Sequence, residues 1–199
     1  MMRIITGRAK GIRLATLEGE NTRPTSERVK EAIFSMIQFE IEGRRVLDLF
    51  SGSGQMGLEA LSRGAESALM VDHAKAAVSV IKQNIAKTKL DGASVICADS
   101  LEFLRGEGRK RNESAKYDIV FLDPPYAEKL IPRALELLLS GRLIKRTSLI
   151  VCESGANEDV FGSNKELEAR FDVMKSVKYG VAYVNLLTPK KNEEAENGN

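Results

Sequence analysis

From Arg45 to Gly64 the chain passes from an apolar run, Arg45-Val-Leu-Asp-Leu-Phe50, through the turn Ser51-Gly-Ser-Gly-Gln-Met-Gly57 into a helix-forming stretch with Leu58, Ala60 and Leu61. A strand, a glycine-rich turn and a helix N-terminus in that order commit the segment to an α/β fold with a parallel sheet. Glycine removes the side chain from the turn, so backbone N–H groups at the helix start can approach a ligand closely. The rest of the chain continues the alternation. Strands are predicted at 67–71, ending in Asp72, at 93–98, ending at Asp99, at 119–122 and at 148–153. Helices are predicted at 75–87, from Asp99 to about Arg105, and at 128–139. This order implies right-handed crossovers and a doubly wound sheet with ligands at the strands' carboxyl ends. The runs 170–179 and 181–187, split by Gly180, read as a closing hairpin instead.

A second motif ends the strand at 119–122, where Ile119-Val-Phe-Leu is followed by Asp123-Pro124-Pro125-Tyr126. The proline pair donates no backbone N–H and stops the ladder. What remains is a carboxylate, a stiff backbone with fixed carbonyls and an aromatic ring. A planar exocyclic amine on a nucleobase needs acceptors for two N–H donors and a π-face to stack on. The motif therefore suits amino-group methylation, although Asp and Pro also make ordinary turns.

The glycine turn leaves three readings open. Gly52-Ser-Gly54-Gln-Met-Gly57 matches a dinucleotide fingerprint, with Asp72 twenty residues after Gly52 where a ribose-binding acid belongs, which favours NAD. A turn kept only for packing is the plainest. Against NAD, Asp48 lies within the strand facing the turn, where a carboxylate repels a pyrophosphate but suits the cationic methionyl group of S-adenosylmethionine. Acids at three successive strand ends, Asp48, Asp72 and Asp99, fit a phosphate-free adenosyl and methionyl ligand.

The basic charge is uneven. Residues 1–30 hold Arg3, Arg8, Lys10, Arg13, Arg23, Arg28 and Lys30 against three Glu, a local +4, within a net charge of +2 for 199 residues. Residues 2–6 and 11–17 are predicted as a hairpin carrying four of these cations, residues 18–25 as a linker, and Ser26 as the N-cap of a helix with Arg28 and Lys30 beside its apolar stripe. A second basic run, residues 105–116, is expected as a loop. Either run suits phosphate contacts or a solvated surface. Cys97 and Cys152, each in an apolar run without ligand spacing, are expected to be buried and reduced. No leader and no long apolar span is present in the sequence, so a cytoplasmic location without membrane contact is expected.

Together, Asp48 to Gly57, Asp72, Asp99 and Asp123-Pro-Pro-Tyr126 resemble the class I S-adenosylmethionine-dependent methyltransferases. Arg3-Ile-Ile-Thr-Gly7, Arg23-Pro-Thr25 and Arg28-Val-Lys-Glu-Ala-Ile-Phe34 narrow the resemblance, over residues 2–187, to the RsmD family, bacterial enzymes that methylate guanine N2 in small-subunit (16S) ribosomal RNA. Ser51 and Gln55-Met56 depart from the family's usual turn, and Asp72 stands where Glu is more usual. The resemblance implies a Rossmann-like seven-stranded sheet with helices on both faces, its last strand antiparallel, and a small N-terminal RNA-holding extension. The expected division is 1–25 extension, 26–189 catalytic domain and 190–199 flexible tail. It also implies that Asp48, Phe50, Gly52, Gly54, Asp72, His73, Asp99 and Ser100 surround S-adenosylmethionine. Of these, Gly52 and Gly54 lie against the methionyl part, Asp72 binds the ribose and Asp99 the adenine amine. Asp123, Pro124, Pro125 and Tyr126 hold the target base. No metal and no catalytic role for His73 is implied. The expected partner is 16S rRNA within the 30S subunit or an assembly intermediate, engaged by a monomer. Methylation of DNA bases and a non-catalytic RNA-binding module remain as rival functions.

Overall fold

The computed structural model describes residues 2–17, 27–110, 116–125, 128–155 and 159–190. Its strands are β1 (Arg45–Asp48), β2 (Ser67–Asp72), β3 (Ala93–Cys97), β4 (Tyr117–Leu122), β5 (Ile144–Gly155), β6 (Phe171–Tyr179) and β7 (Ala182–Pro189). The helices are α1 (Glu27–Met36), α2 (Gln55–Ser62), α3 (Lys75–Thr88), α4 (Ser100–Lys110), α5 (Ile131–Ser140) and the single turn α6 (Lys165–Glu168). All seven strands form one sheet in the order β3-β2-β1-β4-β5-β7-β6. The first five pair in parallel and β7 lies antiparallel between β5 and β6. This is the sheet and closing hairpin that the sequence predicts.

Alternate residues of β4 face opposite sides of the sheet. Ile119 and Phe121 join a core with Ile33 and Phe34 of α1, Leu58 and Leu61 of α2 and Ile81 of α3. Val120 and Leu122 join a second core with Leu104 of α4 and Leu135 and Leu138 of α5. Both faces are covered, which is why β4 is apolar throughout most of its length. Phe34 packs on Phe121 with ring centroids 5.7 Å apart, fixing α1 across the strand that carries the Asp123 motif. Burial of a side chain of that size contributes about 1.5–3 kcal/mol.

The N-terminal segment is narrower than a full hairpin, with one bridge between Arg3 and Arg13. Its apolar residues Ile4, Ala9 and Leu14 enter the same core as α1, while buried polar groups latch its backbone. Glu59, fully buried on α2, accepts from the N–H groups of Ile5 (2.7 Å) and Thr6 (3.0 Å) and from Arg63 Nε (2.8 Å). Gly7, at φ +87°, sits so close to α2 that a Cβ would lie 1.8 Å from the Ser62 carbonyl oxygen.

Four local expectations need correction. Lys30 does not flank the α1 stripe: it is fully buried, donates to the Arg3 carbonyl at 2.6 Å and lies 3.5 Å from Glu59 Oε2. Burial pulls its pKa below the ordinary lysine value, against the opposing effect of Glu59. It is therefore unavailable to a phosphate. The stretch from Arg105 is helical as far as Lys110, and two of its cations pair along α4, Arg105 with Glu102 and Lys110 with Glu107. Gly108 does not break that helix but lets it approach Gly141, whose Cα a Cβ at 108 would meet at 2.8 Å. Cys97 is exposed because β3 is an edge strand, whereas Cys152 is buried as expected. Finally, β5 starts at Ile144 rather than Ser148, with a register shift against β4. Buried Ser148 stitches that irregularity by donating to the Tyr117 carbonyl and accepting from Lys145 N–H. The linker, Ser26, Tyr126 and the tail from 191 lie outside the described residues.

Candidate active site

The parallel strands all deliver their carboxyl ends to one edge of the sheet. In sheet order that edge carries Asp99 just beyond β3, Asp72 ending β2, Asp48 ending β1, Asp123 just beyond β4 and Glu153 near the end of β5. Neighbouring strands lie about 4.8 Å apart, so Asp72 and Asp123 are separated by roughly two strand spacings. One of these acids, Glu153, is not singled out by the sequence motifs. Its signal is part of the one that marks the others: an acid closing an apolar run, Leu149-Ile-Val-Cys-Glu153.

The glycine turn is built by two of the carboxylates. Asp48 is 2% exposed, and its Oδ2 accepts from Gly57 N–H at 3.1 Å near the start of α2. Ser51 Oγ donates to the Asp48 carbonyl at 2.6 Å, closing the turn below. Burial drives the Asp48 pKa up from 3.8 to about 7, aided by the Asp72 charge and opposed by the Gly57 N–H. Asp48 thus braces the turn from underneath rather than standing at its surface. Asp72 spans the rim, accepting from Gly52 N–H at 2.8 Å through Oδ2 and from Ala74 N–H at 2.9 Å through Oδ1. An ionised carboxylate has about four acceptor positions, so these two bonds leave capacity for a ligand hydroxyl.

The two turn glycines differ in what they face. A Cβ on Gly52, at φ +53°, would meet no protein atom within 4 Å. On Gly54, at φ +77°, it would lie 2.9 Å from Met70 Sδ and 3.2 Å from Ile81 Cγ2. Gly52 therefore borders open space, the cradle that a ligand against the turn would fill. Gly54 is needed to seat α2 against β2 and α3, as is Gly57, whose Cβ would come 2.8 Å from Met70 Cγ. With Asp72 accepting at the rim and Gly52 open on a turn that Asp48 braces, the residues present fit the ribosyl and methionyl parts of S-adenosylmethionine.

The remaining sequence-predicted residues take lesser positions. Asp99 is exposed and caps α4 by accepting from Glu102 N–H at 2.9 Å. Ser100 is buried and donates to the Leu49 carbonyl at 2.7 Å, tying α4 to the strand that enters the turn. Phe50 is half-buried against the α4 and α5 side. The His73 side chain is 77% exposed, its Nδ1 3.9 Å from Asp72 Oδ1. Beyond β4, Asp123 is half-buried, Pro124 buried and Pro125 exposed, with the Pro125 carbonyl accepting from Glu128 N–H at 3.1 Å. Tyr126 falls outside the described residues. Among the described residues no group of three or more potential metal ligands occurs, and no helix is long and apolar enough to cross a membrane.

The N-terminal segment reaches this edge. Buried Asn84 of α3 accepts from Ala15 N–H at 2.8 Å and donates to the carbonyls of Ala15 (3.0 Å) and Ser53 (2.9 Å). Ser53 Oγ also donates to Met2 Sδ. One side-chain amide therefore joins the basic segment to the glycine turn, with Arg3, Arg8, Lys10 and Arg13 all exposed on that segment.

The sheet order, the braced glycine turn and the acids along one edge define the class I methyltransferase fold. The chain belongs to the family described as conserved hypothetical protein 95, which matches residues 2–187, and with it to the RsmD proteins. It is 36% identical to ribosomal RNA small subunit methyltransferase D of Haemophilus influenzae, over 77% of this chain and 78% of that one. The Escherichia coli K12 protein of the same name is 34% identical, over 77% and 74%. YlbH of Bacillus subtilis is 38% identical, over 76% and 82%. The solved structure of yhhF from Escherichia coli superposes with a TM-score of 0.81 at 29% identity, over 96% of this chain and 99% of that one.

Proposed function

We propose that this protein transfers a methyl group from S-adenosylmethionine to the exocyclic N2 amine of a guanine in small-subunit ribosomal RNA. The observation that carries the reading is the placement of Asp123-Pro124-Pro125 beyond β4, two strands from Asp72 and one from the glycine turn, in a chain whose relatives include small-subunit rRNA methyltransferases. S-adenosylmethionine would supply an electrophilic methyl carbon on a sulfonium leaving group. Asp72 would hold its ribose hydroxyls, Asp99 its adenine amine, and the open face of Gly52 would admit its methionyl part. Phe50, His73 and Ser100 would border it.

Displacement at the methyl carbon is in-line, so the protein's main task is alignment. A guanine amine is a poor nucleophile because its lone pair is delocalised into the ring. Asp123 and the Pro124 carbonyl, accepting its two N–H groups, would favour a more tetrahedral nitrogen with its lone pair directed at the methyl. Tyr126 would stack on the extruded base. After transfer the nitrogen is strongly acidic, and Asp123 or water would take its proton. The exposed cations of residues 3–13 would hold the RNA backbone beside the cofactor turn. The protein would act as a cytoplasmic monomer on the 30S subunit or a precursor of it.

The test is Asp123→Ala, assayed in single turnover with 30S subunits and methyl-labelled S-adenosylmethionine, with cofactor affinity measured by calorimetry. A rate reduction of roughly 100-fold or more with near-normal cofactor affinity is expected. Near-normal turnover would refute the assignment of the base site.

A further inference from the structure

Asp123 does not stand alone at the proposed base site. β4 and β5 pair in parallel with Leu122 opposite Cys152, so the next pair in register brings Asp123 beside Glu153 at about 4.8 Å between strands. Alternation along each strand turns both acids to the side that faces α1 and α2. There they border one small cavity with Ile33, Met56, Phe121 and Val151. Glu153 is only 6% exposed, so a donor seated against its carboxylate is shielded from water and the hydrogen bond between them is correspondingly strong. The cavity is about 10 Å³, room for one water-sized group, and its other walls are apolar, so the two carboxylates are its polar partners.

We propose that Glu153 selects guanine by accepting the N1–H of the target base while the Asp123 motif holds the adjacent N2 amine. The inference rests on the methylation of guanine N2 proposed above and adds what makes that site prefer guanine. Three bases carry an exocyclic amine beside a ring nitrogen on the Watson–Crick edge. In guanine that neighbour, N1, carries a proton. In adenine (N1) and cytosine (N3) it is an acceptor with a lone pair. An acceptor-only carboxylate one strand away from Asp123 matches the guanine edge and confronts a lone pair in the other two. A site built to hydrogen-bond one donor rejects an analogue lacking it far more strongly than an apolar pocket rejects a missing methylene.

The experiment separates base selection from folding and from the parent reading. The nucleotide methylated by the wild-type protein is located in 30S subunits by mass spectrometry. Subunits are then reconstituted from ligated 16S rRNA carrying either guanine or 2-aminopurine there. The two bases share the N2 amine, but 2-aminopurine presents an unprotonated N1. Wild-type protein is expected to favour guanine by roughly 100-fold in kcat/KM. Glu153→Gln, whose amide can donate to N1, should lose about tenfold on guanine and discriminate between the bases by less than about tenfold. Its thermal midpoint and S-adenosylmethionine affinity should stay near wild type. Equal use of both bases by the wild type, or unchanged discrimination in Glu153→Gln, would overturn the role of Glu153. Failure of the wild type to methylate guanine in any subunit would instead refute the parent reading.

Discussion

Asp48→Asn tests the claim that the glycine turn rests on a buried, reluctantly ionised carboxylate. The Asp48 pKa is raised from 3.8 to about 7, about three units, and each unit corresponds to about 1.36 kcal/mol between protonation states. The sign follows from the raised value. Below about pH 4 the group is protonated in both folded and unfolded chains. Between about pH 4 and 7 the folded chain retains a proton that the unfolded chain has lost, so stability falls with rising pH. Above about pH 7 both forms are ionised and the loss is complete, at about 4 kcal/mol. Asn keeps an acceptor for the Gly57 N–H and cannot titrate, and any cost of its extra N–H groups is independent of pH. Urea unfolding of both proteins at constant ionic strength from about pH 4.5 to 8 should show the Asn variant gaining on the wild type by about 1.4 kcal/mol per pH unit, with the gain levelling off above about pH 7. A stability difference that does not change with pH would refute the reasoning.

Other substitutions should separate binding from folding. Gly52→Ala places its methyl in open space, so it should lower stability by only about 1–2 kcal/mol through its left-handed backbone, yet weaken S-adenosylmethionine binding at least tenfold by calorimetry. Gly54→Ala drives a methyl toward Met70 and Ile81 and should instead lower the thermal midpoint, by more than Gly52→Ala does. Lys30→Met strips a partner from buried Glu59 and the donor from the Arg3 carbonyl. It should cost about 3 kcal/mol by urea unfolding and raise hydrogen exchange in residues 2–14 first. Charge reversal at Arg8, Lys10 and Arg13 should weaken rRNA binding and flatten the dependence of log K on log salt by about 0.7–0.9 for each phosphate no longer held. An unchanged slope would mark the segment as solvated surface.

The strand-end acids are legible in the sequence because two local signals coincide at most of them: an apolar run of strand length, then an acid with a turn or helix start behind it. Asp72, Asp99 and Asp123 carry that pair, whereas Asp48 interrupts its apolar run, with Leu49 and Phe50 between it and the glycine turn, and the parallel sheet brings all four to one edge. Glu153 carries only the first, since no Pro or Gly follows it directly, and its neighbour Asp123 is known only once β4 and β5 are paired. Lys30 defeats a local reading because its burial depends on Glu59, 29 residues away, and helical periodicity reports only the local face. Cys97 sits in a run as apolar as that of an inner strand, and its exposure follows from sheet order alone. The extension of α4 past two glycines is hidden for a related reason: Gly108 serves contact with Gly141, a partner beyond the end of another helix.

The most direct test of the account is to incubate the protein with methyl-labelled S-adenosylmethionine and, separately, 30S subunits, naked small-subunit rRNA, DNA and bulk protein, then to identify the labelled nucleosides by mass spectrometry. N2-methylguanosine is expected in the ribosomal samples. Label confined to DNA, or absent from every substrate, would refute guanine-N2 methylation of ribosomal RNA.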